Sequence, residues 1–326
     1  MSVPAGEYRA PRWLPGGHAQ TIYPALLRRP RHRYRRERID TPDGDFIDFD
    51  WLLDAGAESA PLLVLLHGLE GSGASHYVAS LMRRVRSDRW RGVVPHFRGC
   101  SGEPNRLPRA YHSGDHAEVG WMLKHLHASA RGAPVYVVGV SLGGSALLNW
   151  LGRARADAGR YVAAAAAVSA PLDLTAAGIA IERGFSQFYS RLFQRTLVPK
   201  ALSMAQRFPG MLDRTAIRNV RTMYAFDDAV TAPLHGFAGT DDYWSRASSK
   251  PWLRNIEVPT LVLNARNDPF IPAASLPDAT QVSPAVLLEQ PEHGGHAGFA
   301  RAPFPGKLDW LPTRLVSFFR RGEHNT

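Results

Sequence analysis

An abrupt change from apolar to small residues around one serine constrains the fold more than any other feature of the chain. The run from Val135 to Gly144 reads V-Y-V-V-G-V-S-L-G-G. Where a strand turns sharply into a helix at a nucleophilic serine, larger side chains two positions away would collide with neighbouring backbone. Gly139 and Gly143 flank Ser141 at these positions. The pattern therefore predicts a nucleophile elbow.

The residues after the serine support this interpretation. The segment S-A-L-L-N-W-L at 145–151 has helical composition, as the strand, turn and helix of an elbow require. A glycine-rich turn without chemistry is the alternative, because G-x-S-x-G also arises by chance. The choice depends on whether the rest of the chain supplies partners for the serine.

Length and hydropathy are those of a soluble α/β protein. The chain has 326 residues, 44% of them hydrophobic, which suits one large domain or two small ones. Its start, M-S-V-P-A-G-E-Y-R-A, lacks an apolar signal core, and no apolar run approaches the length of a membrane span. We therefore predict a cytoplasmic protein without a membrane anchor. The single cysteine, Cys100, excludes an intramolecular disulfide and is predicted to be a small buried residue.

The net charge of +10 decides little by itself, and the sharpest basic cluster is Arg28 to Arg38. Such a cluster can contact nucleic acid or an anionic membrane surface. It also suits an exposed edge strand that charge protects from aggregation. We favour the edge strand and predict no nucleic-acid partner, because no nucleic-acid-binding motif accompanies the cluster. A loose peripheral association with a membrane stays open.

The N-terminal half contains an arm, a hairpin and a buried strand. Pro11 to Pro24 is rich in proline, glycine and aromatic residues, so we expect an ordered extended arm, with His18 as a weak functional candidate. The segments 32–39 and 46–53 flank the turn-forming sequence T-P-D-G, which predicts a β-hairpin. Pro61 to Leu66 is a continuous apolar run, typical of a strand covered on both faces.

A glycine-rich loop, H-G-L-E-G-S-G at 67–73, follows this buried strand. It could cradle a phosphate, but neither G-x-G-x-x-G nor a G-K-[ST] ending is present. Beside a nucleophile elbow, the N–H groups of Leu69 and Leu142 are better read as donors to an oxyanion. We place His67 and Gly68 at the substrate. A simple turn that ends the strand is the alternative for these two residues.

A second group of polar residues lies at the predicted start of a helix over 115–128. His112, Asp115 and His116 could place two imidazoles on one helical face, as a metal site requires. No H-E-x-x-H motif or third ligand accompanies them, so an exposed helix start is the preferred interpretation. We predict neither a metal nor a cofactor.

The alternation of strands and helices stops between residues 172 and 250. We predict that this segment is a cap inserted into a core domain formed by residues 1–171 and 251–326, with residues 1–30 as the N-terminal arm. Its aromatic residues could line an acyl pocket or could simply pack between cap helices. They are Phe185, Phe188, Tyr189, Phe193, Phe208, Tyr224, Phe226, Phe237, Tyr243 and Trp244.

A serine hydroxyl needs a histidine to accept its proton and a carboxylate to orient that histidine. Asp268 directly follows a predicted strand at 259–264, whereas the rival acids Asp173, Asp227 and Asp228 do not. After the last predicted strand, His296 is preferred to His293 because Gly295 and Gly298 leave room around it. The order of Ser141, Asp268 and His296 is that of α/β hydrolases.

The sequence resembles the YheT-like family of α/β hydrolases along nearly its whole length. The shared stretches are G-H-A-Q-T-I-Y-P-A-L-L-R-R, H-G-L-E-G-S-G, H-F-R-G-C-S-G-E-P-N-R-L-P-R-A-Y-H-S-G-D, G-V-S-L-G-G-S, R-N-D-P-F-I-P and G-G-H-A-G-F. One departure is Ser145, where the family commonly has asparagine. The resemblance implies a mostly parallel sheet of about eight strands flanked by helices, with a helical cap after strand 6.

The same resemblance implies a serine esterase whose charge relay is Ser141, Asp268 and His296. Relatives are associated with short- or medium-chain esters, acylglycerols or phospholipids, so the expected partner is a small acyl ester. An acyltransferase with the same acyl-enzyme and a catalytically silent binding protein are the other function classes. The silent protein is disfavoured because no member of the triad is lost, and dehalogenase chemistry because the elbow carries serine. The sequence gives no indication of the oligomeric state.

Overall fold

The computed structural model describes residues 7–27 and 31–323. Within these residues, eight strands form one sheet in the order β1-β2-β4-β3-β5-β6-β7-β8. Strands β1 and β2 are antiparallel to each other, β2 is antiparallel to β4, and the remaining pairs are parallel. The strands are β1 Tyr34–Asp40, β2 Phe46–Leu52, β3 Leu62–Leu66, β4 Arg91–Pro95, β5 Val135–Val140, β6 Ala164–Val168, β7 Thr260–Leu263 and β8 Val286–Glu289. This topology confirms the predicted fold class.

Helices cover both faces of the sheet and fill the long segment between β6 and β7. They are α1 Gly17–Leu26, α2 His76–Ser87, α3 His116–Ser129, α4 Leu142–Ala154, α5 Leu174–Ile181, α6 Gln187–Arg207, α7 Arg214–Arg218, α8 Met223–Phe226, α9 Ala232–His235, α10 Thr240–Ala247 and α11 Trp310–Glu323. A π-helical turn, Asp227–Thr231, joins α8 to α9. None of the helices in residues 7–27 and 31–323 is long and apolar enough to cross a membrane.

The apolar run predicted to form a buried strand is β3, which lies in the middle of the sheet. Its residues alternate between the two faces, so that Leu62, Val64 and Leu66 pack with one core cluster. Leu63 and Leu65 pack with the other cluster. All five are wholly buried. Each such side chain contributes roughly 1.5–3 kcal/mol through the hydrophobic effect, which explains why this segment reads as continuously apolar.

Strands β1 and β2 form the predicted hairpin, and β1 is the edge strand of the sheet. Arg36 pairs with Asp50, and Arg38 pairs with Asp48, with N–O distances of 2.8 Å in both cases. Residues 34–38 of the basic cluster therefore lie on an edge strand, as predicted, and two of its arginines are paired with aspartates of β2. Residues 28–30 of the cluster lie outside the described residues.

The prediction of an extended N-terminal arm is wrong for its second half, which forms α1. Gly16, at φ 75°, opens the helix, and the side-chain amide of Gln20 donates to the carbonyl of Leu14 at 2.9 Å. Pro24 lies in the last turn, where a missing N–H removes a single hydrogen bond. Proline and glycine here mark the ends of a short helix rather than an extended chain. Residues 1–6 of the arm lie outside the described part of the chain.

The helical insertion after β6 leaves the core and returns to it at one place. The backbone N–H of Lys250 donates to the carbonyl of Leu172 at 2.9 Å, so the two ends of the insertion lie side by side. The backbone N–H of Leu174 also donates to the side chain of Ser248 at 2.9 Å. We propose that this insertion is the cap, with the boundaries predicted above at residues 172 and 250.

Candidate active site

The turn between β5 and α4 holds Ser141 in an unusual backbone conformation, with φ 54° and ψ −123°. A β-carbon added at Gly139 would lie 2.5 Å from the carbonyl oxygen of Gly143. One added at Gly143 would lie 2.5 Å from the carbonyl oxygen of Leu66. Both positions therefore require glycine, and the strand, turn and helix have the geometry of a nucleophile elbow.

An imidazole and a carboxylate meet beside this turn. Nδ1 of His296 lies 2.8 Å from Oδ2 of Asp268, whose other oxygen accepts the backbone N–H of Phe270 at 2.8 Å. The carboxylate is wholly buried, whereas 12% of the histidine side chain is exposed. A carboxylate at Nδ1 orients the ring and leaves Nε2 to act as a proton acceptor. Ser141 and His296 line the same cavity.

The rival acids make other contacts. Asp173 and Asp228 accept backbone N–H groups at or near helix starts, where carboxylates are common. Asp227 accepts the hydroxyl of Thr231 at 2.6 Å and the indole N–H of Trp244 at 2.8 Å. Burial raises the pKa of Asp227 to about 6. All three carboxylates thus bind groups other than His296.

Two backbone N–H groups are available beside the serine. Within the described chain, those of Leu69 and Leu142 donate to no protein acceptor, although the N–H groups of Gly68 and Glu70 do. Leu142 is the first residue of α4, where N–H groups are unpaired and the helix dipole is positive. Leu69 and Leu142 both line the cavity. The arrangement can stabilise negative charge on an oxygen near Ser141.

His67 and Gly68 are buried and are not among the residues that line the cavity, so their contact with substrate stays a prediction. His67 is wholly buried, and burial lowers its pKa to about 3, so the ring is neutral. Its Nδ1 donates to the carbonyl of Gly68 at 2.8 Å, and its Nε2 accepts the N–H of Phe97 at 3.2 Å. A β-carbon at Gly68 would lie 3.0 Å from Cβ of Ser141. These residues hold the loop against the elbow.

The residues that sequence reasoning missed lie on α1, which supports the histidine loop. The hydroxyl of Thr21 accepts the N–H of His296, and the side-chain oxygen of Gln20 accepts the N–H of Gly294, both at 2.9 Å. A β-carbon at Gly298 would lie 1.9 Å from the carbonyl oxygen of Gln20. The room that glycine leaves near His296 is thus filled by this helix. The sequence sign of this role was the stretch G-H-A-Q-T at residues 17–21, which is one of the stretches that resemble the family.

Replacing Thr21 with valine is expected to lower kcat by roughly 5- to 100-fold. The change leaves the N–H of His296 without an acceptor, and the cost of an unsatisfied donor, about 1–3 kcal/mol, favours movement of the histidine loop away from the position that aligns the ring. Thr21→Ser retains the hydroxyl and is the matched control. Steady-state hydrolysis of p-nitrophenyl butyrate measures both. Equal kcat values for the valine and serine variants would contradict the role of α1.

His18 also lies on α1 and contacts the insertion. Its Nδ1 is 3.2 Å from the hydroxyl of Tyr189, and its ring packs edge-on against Phe185, with centroids 4.8 Å apart. His18 is therefore part of the packing between α1 and the insertion.

The group at His112, Asp115 and His116 lies at the start of α3 as predicted, but it is not fully exposed, because Asp115 is buried and the two histidines are half-buried. Asp115 caps the helix and accepts the guanidinium of Arg109 at 2.9 Å. The ring of His112 packs against that of His235, with centroids 4.4 Å apart. Residues of the insertion cover this helix start, because the ring of His112 also packs against Phe237 and Tyr243.

A cavity of about 550 Å³ extends from Ser141 beneath the insertion. Leu197 and Met204 of α6, together with Val230, supply part of its apolar wall. Four of the ten aromatic residues noted in the insertion line it, namely Phe193, Phe226, Tyr243 and Trp244. By contrast, Phe185, Phe188 and Tyr224 are exposed on the outer surface.

Cys100 forms part of the opposite wall. It is half-buried rather than fully buried. Burial raises the pKa of its thiol to about 12, so the group remains protonated at neutral pH.

The chain is similar to several known proteins. Residues 61–303 match the α/β hydrolase fold family. The chain is 38% identical to "Putative esterase YheT" of Escherichia coli over 315 residues, covering 95% of this chain and 92% of that protein. It is 28% identical to "Phospholipase ABHD3" of mouse, covering 94% of this chain and 76% of that protein.

Among solved structures, the esterase Pf2001 of Pyrococcus furiosus superposes with a TM-score of 0.56 at 15% identity. The match covers 89% of this chain and 93% of that one, which supports the fold alone. The extent of the family match and the 38% identity over most of both sequences show that the chain belongs to the YheT-like family of α/β hydrolases.

Proposed function

We propose that the protein is a serine carboxylic-ester hydrolase with Ser141, His296 and Asp268 as its triad. The observation that carries the proposal is the convergence of a serine in a strained elbow and a histidine bound to a buried carboxylate on one cavity. A serine hydroxyl is a weak nucleophile at neutral pH unless a base accepts its proton. His296 is placed to be that base, and Asp268 holds its ring.

The first half of the reaction forms an acyl-enzyme. Oγ of Ser141 attacks the ester carbonyl while Nε2 of His296 accepts its proton. The negative charge on the former carbonyl oxygen is stabilised by the N–H groups of Leu69 and Leu142. Collapse of the tetrahedral intermediate breaks the bond to the alcohol, which leaves with the proton from His296. Water then repeats the sequence and releases the acid.

The substrate class follows from the cavity. Its volume of about 550 Å³ lies within the roughly 300–1,000 Å³ typical of small-molecule sites. The insertion supplies an apolar wall close to the nucleophile, which suits a short- to medium-chain acyl group. The names of two relatives, an esterase and a phospholipase, are those of enzymes that cleave esters and support this choice.

Specificity is expected to rise with acyl length and then fall, with an optimum at about C4 to C10. Each methylene buried in the cavity adds roughly 0.8 kcal/mol until the space is filled. The values of kcat/KM for p-nitrophenyl esters from C2 to C16 measure this profile. A steady rise to C16, with activation by lipid interfaces, would reject a closed acyl pocket and indicate a lipase.

Phospholipid hydrolysis is a second candidate because cationic side chains line the cavity. Arg98, Arg109 and Lys200 line the cavity but are paired with carboxylates, whereas Arg207 binds the backbone carbonyl of Asn105 and is paired with no carboxylate among the described residues. Arg207 is therefore the guanidinium that is available to a phosphate. Assaying a phospholipid and an acylglycerol with the same acyl chains distinguishes the two substrates. An added alcohol acceptor in the same assay detects acyl transfer, the other use of an acyl-enzyme.

A further inference from the structure

Glu70 directly follows Leu69, whose N–H is one of the proposed oxyanion donors. Its φ is 54°, in the left-handed region that residues other than glycine seldom adopt. Such a conformation persists when surrounding contacts hold it. The direction of the Leu69 N–H therefore depends on what fixes Glu70.

A single phenol binds both the main chain and the side chain of Glu70. The backbone N–H of Glu70 donates to the hydroxyl of Tyr111 at 2.7 Å. The hydroxyl in turn donates to Oε1 of Glu70 at 3.2 Å. The ring of Tyr111 stacks on Phe97 with centroids 5.2 Å apart. Tyr111 thus anchors Glu70 to the core of the domain.

The other partner of this carboxylate comes from the insertion. Nζ of Lys200, on α6, lies 2.9 Å from Oε1 and 2.7 Å from Oε2 of Glu70. The Glu70 side chain is 11% exposed and that of Lys200 is 47% exposed. Glu70, Tyr111 and Lys200 all line the cavity. One ion pair therefore connects the insertion to the loop that carries an oxyanion donor.

We propose that Glu70 and Lys200 are positioning residues that couple the placement of α6 over the cavity to the alignment of the Leu69 N–H. With α6 in place, Lys200 holds the carboxylate against Tyr111, and the peptide between Leu69 and Glu70 is fixed by its N–H bond to that phenol. This restrains the backbone of Leu69 from one side and thereby keeps the N–H of Leu69, which lies in the preceding peptide, aligned with the oxyanion. If α6 moves away, the carboxylate loses its cation and this restraint weakens. The inference rests on the proposed esterase function.

Removing either charge is expected to weaken transition-state stabilisation more than substrate binding. Loss of one oxyanion donor lowers kcat by about 10²- to 10³-fold, so a misaligned donor should lower it by about 10- to 100-fold. Glu70→Gln and Lys200→Met should both show this fall, with KM changed by less than about 2-fold. Because the two side chains act as a unit, the double variant should be no slower than the slower single one.

The experiment compares these variants with Lys200→Arg, which keeps the charge, and with Arg246→Met. Arg246 belongs to an exposed ion pair with Asp242 on α10 and controls for loss of a surface cation from the insertion. Lys200→Arg and Arg246→Met should both retain nearly full kcat on p-nitrophenyl butyrate. A boronic-acid inhibitor, which places negative charge in the oxyanion hole, should lose affinity by the same factor as kcat in Glu70→Gln and Lys200→Met.

The outcomes separate this inference from the proposed function. An inactive wild-type enzyme towards all esters would overturn both. An active wild type with unchanged kcat and boronate affinity in Glu70→Gln would overturn the coupling alone. The coupling would also be overturned if the effects of the two single variants on kcat multiplied in the double variant. A lowered melting temperature without a fall in kcat would show that the ion pair only stabilises the fold.

Discussion

Ser141→Ala is expected to lower kcat for p-nitrophenyl butyrate by on the order of 10⁶-fold, as removal of the nucleophile does in serine proteases. The geometry explains the size of the effect. Ser141 occupies the elbow between β5 and α4, and its oxygen has no substitute close to His296 in this proposal. Residual turnover should reflect the oxyanion donors and substrate binding alone.

A fluorophosphonate probe tests the same assignment covalently. The wild-type protein should be labelled at Ser141 and the alanine variant should not be labelled. Ser145→Ala is the control, because this hydroxyl also lies on α4 but donates to the carbonyl of Pro171 at 2.7 Å. Labelling of another serine, or full activity in Ser141→Ala, would contradict the proposed nucleophile.

Asp268→Asn is expected to lower kcat by about 10⁴-fold, the effect of the equivalent change in a serine protease. The carboxylate binds Nδ1 of His296 at 2.8 Å, and an amide in its place favours the wrong tautomer of the ring. KM should change far less, since the buried side chain does not contact the acyl group in the proposed mechanism.

Two other aspartates serve as comparisons for this prediction. Asp173→Asn should leave kcat nearly unchanged, because Asp173 only caps α5. Asp227→Asn removes a buried carboxylate that is bound to Thr231 and Trp244. A 10⁴-fold fall in this variant, with Asp268→Asn still active, would reassign the acid to Asp227.

The central sheet and the position of the serine were predictable because their signals are local. The run at 61–66 is apolar on both faces and forms β3, and the turn residues at 41–44 connect β1 to β2. The small residues around Ser141 are glycines because a few neighbouring backbone atoms leave no space for a β-carbon. The position of Asp268 after β7 was also predictable, because the order of residues and strands along the chain is enough to place it.

The support of the histidine loop was not predictable in the same way. The hydrogen bond from His296 to Thr21 joins residues 275 positions apart, and no periodicity in either segment reports it. The same limit applies to Lys200 and Glu70, which are 130 residues apart. The burial of His67 was also not predictable, since a histidine beside a glycine-rich loop suggests chemistry, and this burial keeps its ring neutral.

The contacts between residues 8–21 and residues 296–302 have a consequence for synthesis on the ribosome. The hydroxyl of Tyr8 donates to the carbonyl of Ala300 at 2.6 Å, and the indole N–H of Trp13 donates to that of Ala302 at 3.0 Å. These bonds, with that of Thr21, join one segment to another that leaves the ribosome 275 to 292 residues later. The elbow can form while translation continues, but the histidine is aligned only after its loop has emerged. A nascent chain should therefore remain inert towards esters until the loop that carries His296 has left the ribosome.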